Sequence, residues 1–441
     1  MSKVALARNL INKKHYFSLN CRNVSTYSWG TSIKGSIPIS TSNVGGVTST
    51  TPTTATDTKK MFDHPQKILN LNNVIDNKDK VEENNSQITK YKCGVNNSAI
   101  ILDNGACYTW GDNESGQLGH GQAQKTILSP TKLPPCDLTE IGVKDMLLGY
   151  TFSAAIDLYG DLHTFGFGGN MNSGFGFLGH GNGDSYYTPK RVDSLIEDGV
   201  TVQDAHVGDS HMTVLTTEGE VLTTGAGSYG RLGNLESVDQ LYLEPVEMLA
   251  NMNVISIAGG HSFTLALTDE GIIYAWGRND KGQLGCGGGL LVDMYAMESI
   301  PQPIMGQLEG RKVTQISAGH GHSACATDDG ELYIWGMKSF LEPQSFTKFL
   351  KTKKCGSLSC GHDYTMILSE DCMSLFSFGK NKTGVLGQAH TKSLHSPELV
   401  EGMSGCKILD MSAGDSHFAC LVEDNVDDVS INNDDPVENV V

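Results

Sequence analysis

The chain has 441 residues, 51 of them Gly, with 19% charged residues and a formal net charge of −18. Such acidity disfavours nonspecific contact with nucleic acid or anionic lipid, where affinity comes mostly from Lys and Arg meeting phosphates. The longest uncharged apolar runs fall far short of the roughly 18 residues that a spanning helix needs, so a soluble protein is expected.

Residues 1–24 contain Lys3, Arg8, Lys13, Lys14 and Arg22 and no acidic residue; the first is Asp57. Val4, Ala7, Leu10 and Ile11 can share one helix face. An acid-free, Arg-containing amphipathic N-terminus has the composition of a mitochondrial transit peptide, which predicts a mitochondrial location, the alternative being a basic tail in the cytoplasm or nucleus. Residues 40–60 are Thr/Ser-rich and 71–86 Asn-rich. Together they predict a long, solvated, low-complexity loop over about 36–88, with too few apolar groups to pack.

From Gly94 onward one frame recurs. A Gly is followed three positions on by a variable slot and eight further on by a turn residue, with slot residues Asn97, Phe152, His211, Phe263, His322, Tyr364 and His417. The leading glycines are Gly94, Gly149, Gly208, Gly260, Gly319, Gly361 and Gly414. A second half-unit ends in an aromatic-Gly or Thr-Gly step: Trp29-Gly30, Trp110-Gly111, Phe165-Gly166, Thr224-Gly225, Trp276-Gly277, Trp335-Gly336 and Phe378-Gly379. Stretches such as 213–225, TVLTTEGEVLTTG, alternate around an acidic-Gly turn, the pattern of a β-hairpin. The aromatic predicts a ring buried between adjacent sheets, worth roughly 2–3 kcal/mol. The later G-x-L-G, as at Gly282–Gly285, turns the chain and buries one Leu.

Seven copies of a four-stranded unit predict an all-β fold, a seven-bladed β-propeller. The phase of the ends is informative. The first copy has its Trp-Gly strand without a preceding Gly-x-x half, and the last has Gly414 and His417 without a following Trp-Gly strand. Pairing Tyr27–Trp29 beside Phe418–Val422 makes one whole blade and removes the open edges. The propeller should therefore span 25–425, closed by its N- and C-terminal strands. Residues 426–441, with five Asp/Glu and no Lys or Arg, read as a solvated acidic tail. The 11 scattered cysteines lack a C-x-x-C pair, which predicts buried, reduced thiols.

The runs CYTWGDNESGQLGHG (107–121), IYAWGRNDKGQLGCG (273–287) and SAGHGHSACATDDGELYIWG (317–336) resemble the regulator-of-chromosome-condensation repeat family. The resemblance covers about residues 25–425 and implies the same closed seven-bladed propeller. The family's founding member is a nucleotide exchange factor for the GTPase Ran that also binds chromatin. Other members are mitochondrial, form ubiquitin-ligase modules or sense light. In the founder a protruding β-wedge and a histidine in the slot of the last repeat are implicated in exchange; His417 holds that slot here, and no counterpart of the wedge sequence is evident. A photoreceptor needs clustered Trp residues, whereas Trp29, Trp110, Trp276 and Trp335 all occupy structural slots.

The slot histidines His211, His322 and His417 are expected to pack and hydrogen-bond, because Asn, Phe and Tyr fill the same place elsewhere. His261 and His362, two residues before their slots, read as loop hydrogen-bonding groups. Gly225–Gly230 spells G-x-G-x-x-G, but it is the ordinary Gly step of the repeat rather than a dinucleotide loop. Two departures from the frame are candidate partner surfaces. Segment 337–354 collects Lys338, Lys348, Lys351, Lys353 and Lys354, a candidate contact for RNA, a ribosomal complex, phospholipid headgroups or an acidic partner. Loop 286–303 carries Leu290, Leu291, Met294, Tyr295 and Met297, more apolar than a turn requires. The sequence favours a monomeric, non-catalytic scaffold with protein partners on its rims, in mitochondrial ribosome or RNA assembly, without cofactor or metal. The alternative is guanine nucleotide exchange on a small or dynamin-like GTPase, with His417 at the partner surface.

Overall fold

The computed structural model describes residues 24–32, 60–68, 86–122, 124–287 and 296–424. Seven four-stranded antiparallel sheets follow one another along the chain, with a separate two-stranded ribbon. Blades 1 to 6 begin at Ile88, Val143, Val202, Val254, Val313 and Cys355. The closing blade takes Lys407–Ala413 and His417–Glu423 from the C-terminal end, and Val24–Ser32 and Lys60–Ile68 from the N-terminal end.

Closure follows the predicted pairing. Val24 lies opposite Glu423, and the register runs without a break to Gly30 opposite His417. Side chains reinforce it: Ser28 Oγ donates to the Phe418 carbonyl at 2.7 Å, and Ser25 Oγ donates to Asp424.

The second strand of each blade is buried along its length, as Asn97–Leu102 and His211–Thr216 illustrate, because blades cover both of its faces. The aromatic step supplies the mortar. Trp276 of blade 4 donates its indole N–H to the Arg231 carbonyl of blade 3 at 3.1 Å, Trp335 of blade 5 to Gln283 of blade 4 at 2.9 Å, and Trp29 of the closing blade to Val385 of blade 6 at 2.8 Å. All four Trp and Phe165 are at most 1% exposed, and Phe378 is 5% exposed. Where a Trp packs on the preceding blade, the second Gly of the G-x-L-G makes the space: a Cβ on Gly285 would stand 2.7 Å from the Trp335 indole nitrogen. The Gly after the aromatic is required too, since Gly277 has φ +104 and a Cβ there would lie 2.6 Å from the Ser262 carbonyl oxygen.

One expectation needs correction. Within the segment read as a solvated loop over 36–88, Lys60–Ile68 is a strand, the outer edge of the closing blade, paired with Val24–Ser32. An outer strand buries little: among its described side chains only Ile68 is buried, so the apolar alternation that would reveal it is missing, and Pro65 is tolerated at an edge. Residues 1–23, the Thr/Ser-rich 40–59, the Asn-rich 71–85 and the acidic 425–441 lie outside the described residues. The ten described cysteines are free thiols.

Truncation separates the N-terminal extension from the ring. Removing residues 1–23 leaves the pairing of Val24–Gly30 with His417–Glu423 in place, and the melting temperature should stay within about 3 °C of the full chain. Removing 1–35 strips the strand from the His417–Glu423 edge and should abolish a single cooperative transition in circular dichroism.

Candidate interaction face

The antiparallel order sorts the loops onto two sides. In blade 3, His211 pairs with Gly225, so the loop before His211 and the connection after Gly225 emerge together. The same register holds in the other blades, for example Phe263 with Gly277 and His322 with Gly336. This loop face collects the Gly-x-x loops and the connections to the outer strands. The opposite face carries the acidic-Gly hairpins and short helices such as Asp137–Ile141 and Asp193–Glu197.

The seven inner strands surround a central cavity of about 380 Å³. On the loop face its mouth is formed by the residue after each leading Gly: Val95, Tyr150, Asp209, His261, His320, His362 and Asp415. Three of these stack in an arc. The rings of His261 and His320 lie 4.4 Å apart, and those of His320 and His362 4.1 Å apart. Carboxylates bracket them: His261 Nε2 is 3.3 Å from Asp209, and His362 Nε2 is 3.8 Å from Asp415 while its Nδ1 is 3.1 Å from Asp363. Burial pushes His320 down to about 3, helped by its two imidazole neighbours and Lys281. His362 moves up instead, chiefly through its hydrogen bond to Asp363. Among the described residues no group of three or more His, Cys, Asp or Glu is arranged to hold a metal ion.

The sequence reading placed His261 and His362 in loop hydrogen bonds, and His261 Nδ1 also meets Ser262 Oγ at 2.9 Å. It did not single out His320, which completes the arc. The signal was present: all three follow a leading Gly directly, at Gly260, Gly319 and Gly361.

The slot residues form latches between blades. The Nε2 of His322 meets Thr365 Oγ1 at 2.9 Å and that of His417 meets Ser98 Oγ at 2.8 Å, while His211 reaches Thr264 at 3.3 Å. Tyr364 donates to the Gly414 carbonyl at 3.0 Å and Asn97 to that of Gly149 at 3.1 Å. His417 as a partner-contact residue is therefore corrected: it is 0% exposed and spans the seam between the closing blade and blade 1.

The loop face also carries a projection that the sequence did not reveal. After Gly166, blade 2 inserts a ribbon in which Gly169–Asn170 pairs with Gly174–Phe175. Its tip residue Met171 is 93% exposed. Asn170 Oδ1 accepts from the amides of Asn172 at 2.9 Å and Ser173 at 3.0 Å, shaping the tip. Asp239 ties the base to blade 3, one carboxylate oxygen accepting from Phe175 N at 2.9 Å and the other from Gly227 N at 3.0 Å. Two-residue strands rich in Gly carry no hydrophobic alternation, so periodicity could not find them.

The predicted basic segment divides. Lys338, at φ +62 in a short turn, lies on the loop face beside the Lys281 carbonyl. The chain then crosses the blade through Phe340–Ser345, which carries Lys348, Lys351, Lys353 and Lys354 to the opposite face. There Lys353 pairs with Asp371 at 2.6 Å, and Lys348 lies 4.9 Å from the Phe349 ring centroid. The five lysines thus form no single patch. Of the apolar loop, Leu290, Leu291, Met294 and Tyr295 lie outside the described residues. Met297 opens the outer strand of blade 4 and is 42% exposed. Gly225–Gly230 leads into a three-residue 3-10 turn, Ser228–Gly230.

A ring of seven four-stranded blades, latched between blades and closed by its two ends, defines a β-propeller built from a chromosome-condensation-type repeat. The chain belongs to the RCC1-like domain family: the RCC1-like domain matches residues 13–343, and the regulator of chromosome condensation (RCC1) repeat matches 374–421. It is 28% identical over 344 residues to the ultraviolet-B receptor UVR8 of Arabidopsis thaliana, covering 75% of this chain and 74% of the relative. It is 29% identical over 354 residues to the mitochondrial RCC1 domain-containing protein RUG3 of the same plant, covering 75% of each. It spans only 6% of the human E3 ubiquitin-protein ligase HERC2, at 30% identity over 63% of this chain. In fold it matches Prp20p of Saccharomyces cerevisiae with a TM-score of 0.73 at 18% identity, covering 92% and 93% of the two chains; that structure is described with the protein's binding to Gsp1p and histones.

Buried histidines make stability depend on pH. Burial holds the latches His322 and His417, and His206 of the inner strand Val202–Val207, at about 4, against 6.5 when solvated. No penalty exists above 6.5; as pH falls below it the unfolded chain takes up protons that the fold refuses, and stability is lost until the folded values near 4 are reached. Each contributes a slope of about 1.4 kcal/mol per pH unit. His362 runs the other way, stabilising below 6.5 and losing that stabilisation as pH rises through its raised value, with a smaller effect because solvent screens it. Urea midpoints should fall steadily from about pH 7 to about pH 5, and His417→Gln should flatten that dependence by one histidine's share.

Proposed function

We propose that the protein is a non-catalytic interaction scaffold of mitochondria, docking protein partners on its loop face in ribosome or RNA assembly or a related complex. One observation carries the choice of face: the projecting ribbon at Gly169–Phe175 and the polar channel mouth share it, both mounted on a rigid ring. The mitochondrial assignment rests on the acid-free basic composition of residues 1–24 and the likeness to RUG3.

A second reading is favoured by the ribbon itself. A protruding wedge is implicated in exchange by the family's founding member, and this ribbon offers a comparable projection. Exchange on a small or dynamin-like GTPase would require the propeller to bind the nucleotide-free GTPase more tightly than the loaded one. His417 would then act only by holding the closure seam. An RNA or ribosomal contact through 337–354 would use Lys348, Lys351 and Lys354, on the opposite face.

Proximity labelling with the full chain in cells distinguishes these surfaces. Met171→Asp, at a tip with no packing role, should remove most labelled partners while leaving the melting temperature unchanged. Lys348→Glu with Lys351→Glu should retain them; the reverse pattern would move docking to the opposite face. Ribosomal or RNA-processing neighbours support the scaffold. A GTPase neighbour whose nucleotide release the wild-type chain accelerates, and the Met171→Asp variant does not, supports exchange. A reporter fused to residues 1–24 that stays cytosolic would defeat the mitochondrial assignment.

A further inference from the structure

The mouth of the channel is electrically lopsided. Blades 3, 4 and 6 contribute Arg231, Arg278, Lys281 and Lys380 to the loop face, beside the three stacked histidines, in a chain whose net charge is −18. Most of these cations are engaged. Arg278 pairs with Asp280 at 2.8 Å, Lys380 pairs with Asp363 at 2.8 Å, and Arg231 Nε donates to the Ser228 carbonyl at 2.8 Å. Lys281 differs. Its stem crosses onto blade 5 against Gly321, where an added Cβ would stand 2.5 Å from Lys281 Cδ and 3.0 Å from Nζ. Among the described residues its ammonium has no carboxylate within ion-pair distance, although Asp280 and Asp363 are near enough to act on it through space.

We propose that Lys281 and the His261–His320–His362 arc form a carboxylate-binding site at the channel mouth, one that takes an Asp- or Glu-rich segment of a protein partner. The proposal rests on the loop face being the docking face, and it names the chemistry of what docks there. Lys281 supplies a half-buried ammonium outside any ion pair among the described residues, and His320, the central imidazole of the arc, supplies an N–H donor beside a cavity of about 380 Å³. Asp209, Asp363 and Asp415 edge the arc and would repel a phosphate dianion more strongly than a single carboxylate.

Asp209, Arg231, Arg278 and Lys281 act on His261; Lys281, Asp363 and the flanking imidazoles act on His320; Asp363, Asp415 and Lys281 act on His362. Burial, helped by the neighbouring imidazoles and Lys281, pushes His320 down to about 3, and burial with Arg231, Arg278 and Lys281 shifts His261 in the same direction. A carboxylate placed against them reverses that balance and favours proton uptake. Binding and protonation are therefore linked, each strengthening the other.

The test uses the full chain and a fluorescent hexaglutamate peptide, followed by anisotropy at about pH 6 and about pH 7.5. Affinity should rise at least about threefold at the lower pH and weaken with added salt. Lys281→Gln should cost at least about threefold at both pH values, and His320→Gln should remove most of the pH dependence. Lys354→Gln, on the opposite face, should change nothing. Peptide binding that is indifferent to Lys281→Gln and His320→Gln would overturn the site. Stronger competition by inorganic phosphate than by acetate would overturn the carboxylate assignment. In cells, partners lost with Met171→Asp but kept with Lys281→Glu would reject the carboxylate site and leave the docking face standing. Partners kept with both would reject the docking face itself.

Discussion

Seven residues at one end of the chain, Val24 to Gly30, lie opposite seven at the other, His417 to Glu423. Everything else depends on this pairing. A row of blades has two open edges, each offering unpaired amides and carbonyls. Joining first to last leaves only the outer strands exposed. The entropy of closing so long a loop rises only slowly with length, so the ladder formed, together with the inter-blade contacts it enables, outweighs it.

Between blades, two devices repeat at different depths. On the outside, an aromatic ring donates back to the G-x-L-G loop of the preceding blade, and a Gly there leaves room for it. Near the channel, the slot residue reaches the next blade, as His322 reaches Thr365 and His417 reaches Ser98. Each contact is modest, but no blade meets water on both faces, and the ring becomes a stiff platform. That stiffness lets short loops, the Met171 ribbon and the three-histidine arc hold fixed positions without their own cores.

The face that results is divided in charge as well as shape. Asp209 and Asp415 flank a histidine arc in which burial pushes His320 down while the hydrogen bond to Asp363 moves His362 up, and among the described residues Lys281 has no carboxylate within ion-pair distance. Mixed charge of this kind contributes little to stability and much to partner choice. Lys338 is separated by the width of a blade from Lys348, Lys351, Lys353 and Lys354, its neighbours in sequence, because a strand runs between them.

The period of the Gly and aromatic positions determined the repeat, the number of blades and the closure, because each blade is built from local pairings whose signature survives in alternation and turn residues. Trp29, Trp110, Trp276 and Trp335 were legible as inter-blade packing for the same reason. The outer strand Lys60–Ile68 and the ribbon at Gly169–Phe175 were not, since an edge strand and a Gly-rich hairpin bury too little to leave a pattern. Nor could sequence decide exposure within a recurring slot. His417 and His320 sit three and one residues after their leading glycines, yet one is sealed between blades and the other faces the channel. Only the closed ring settles such a difference, because it alone brings neighbouring blades against one residue and turns the other toward the axis.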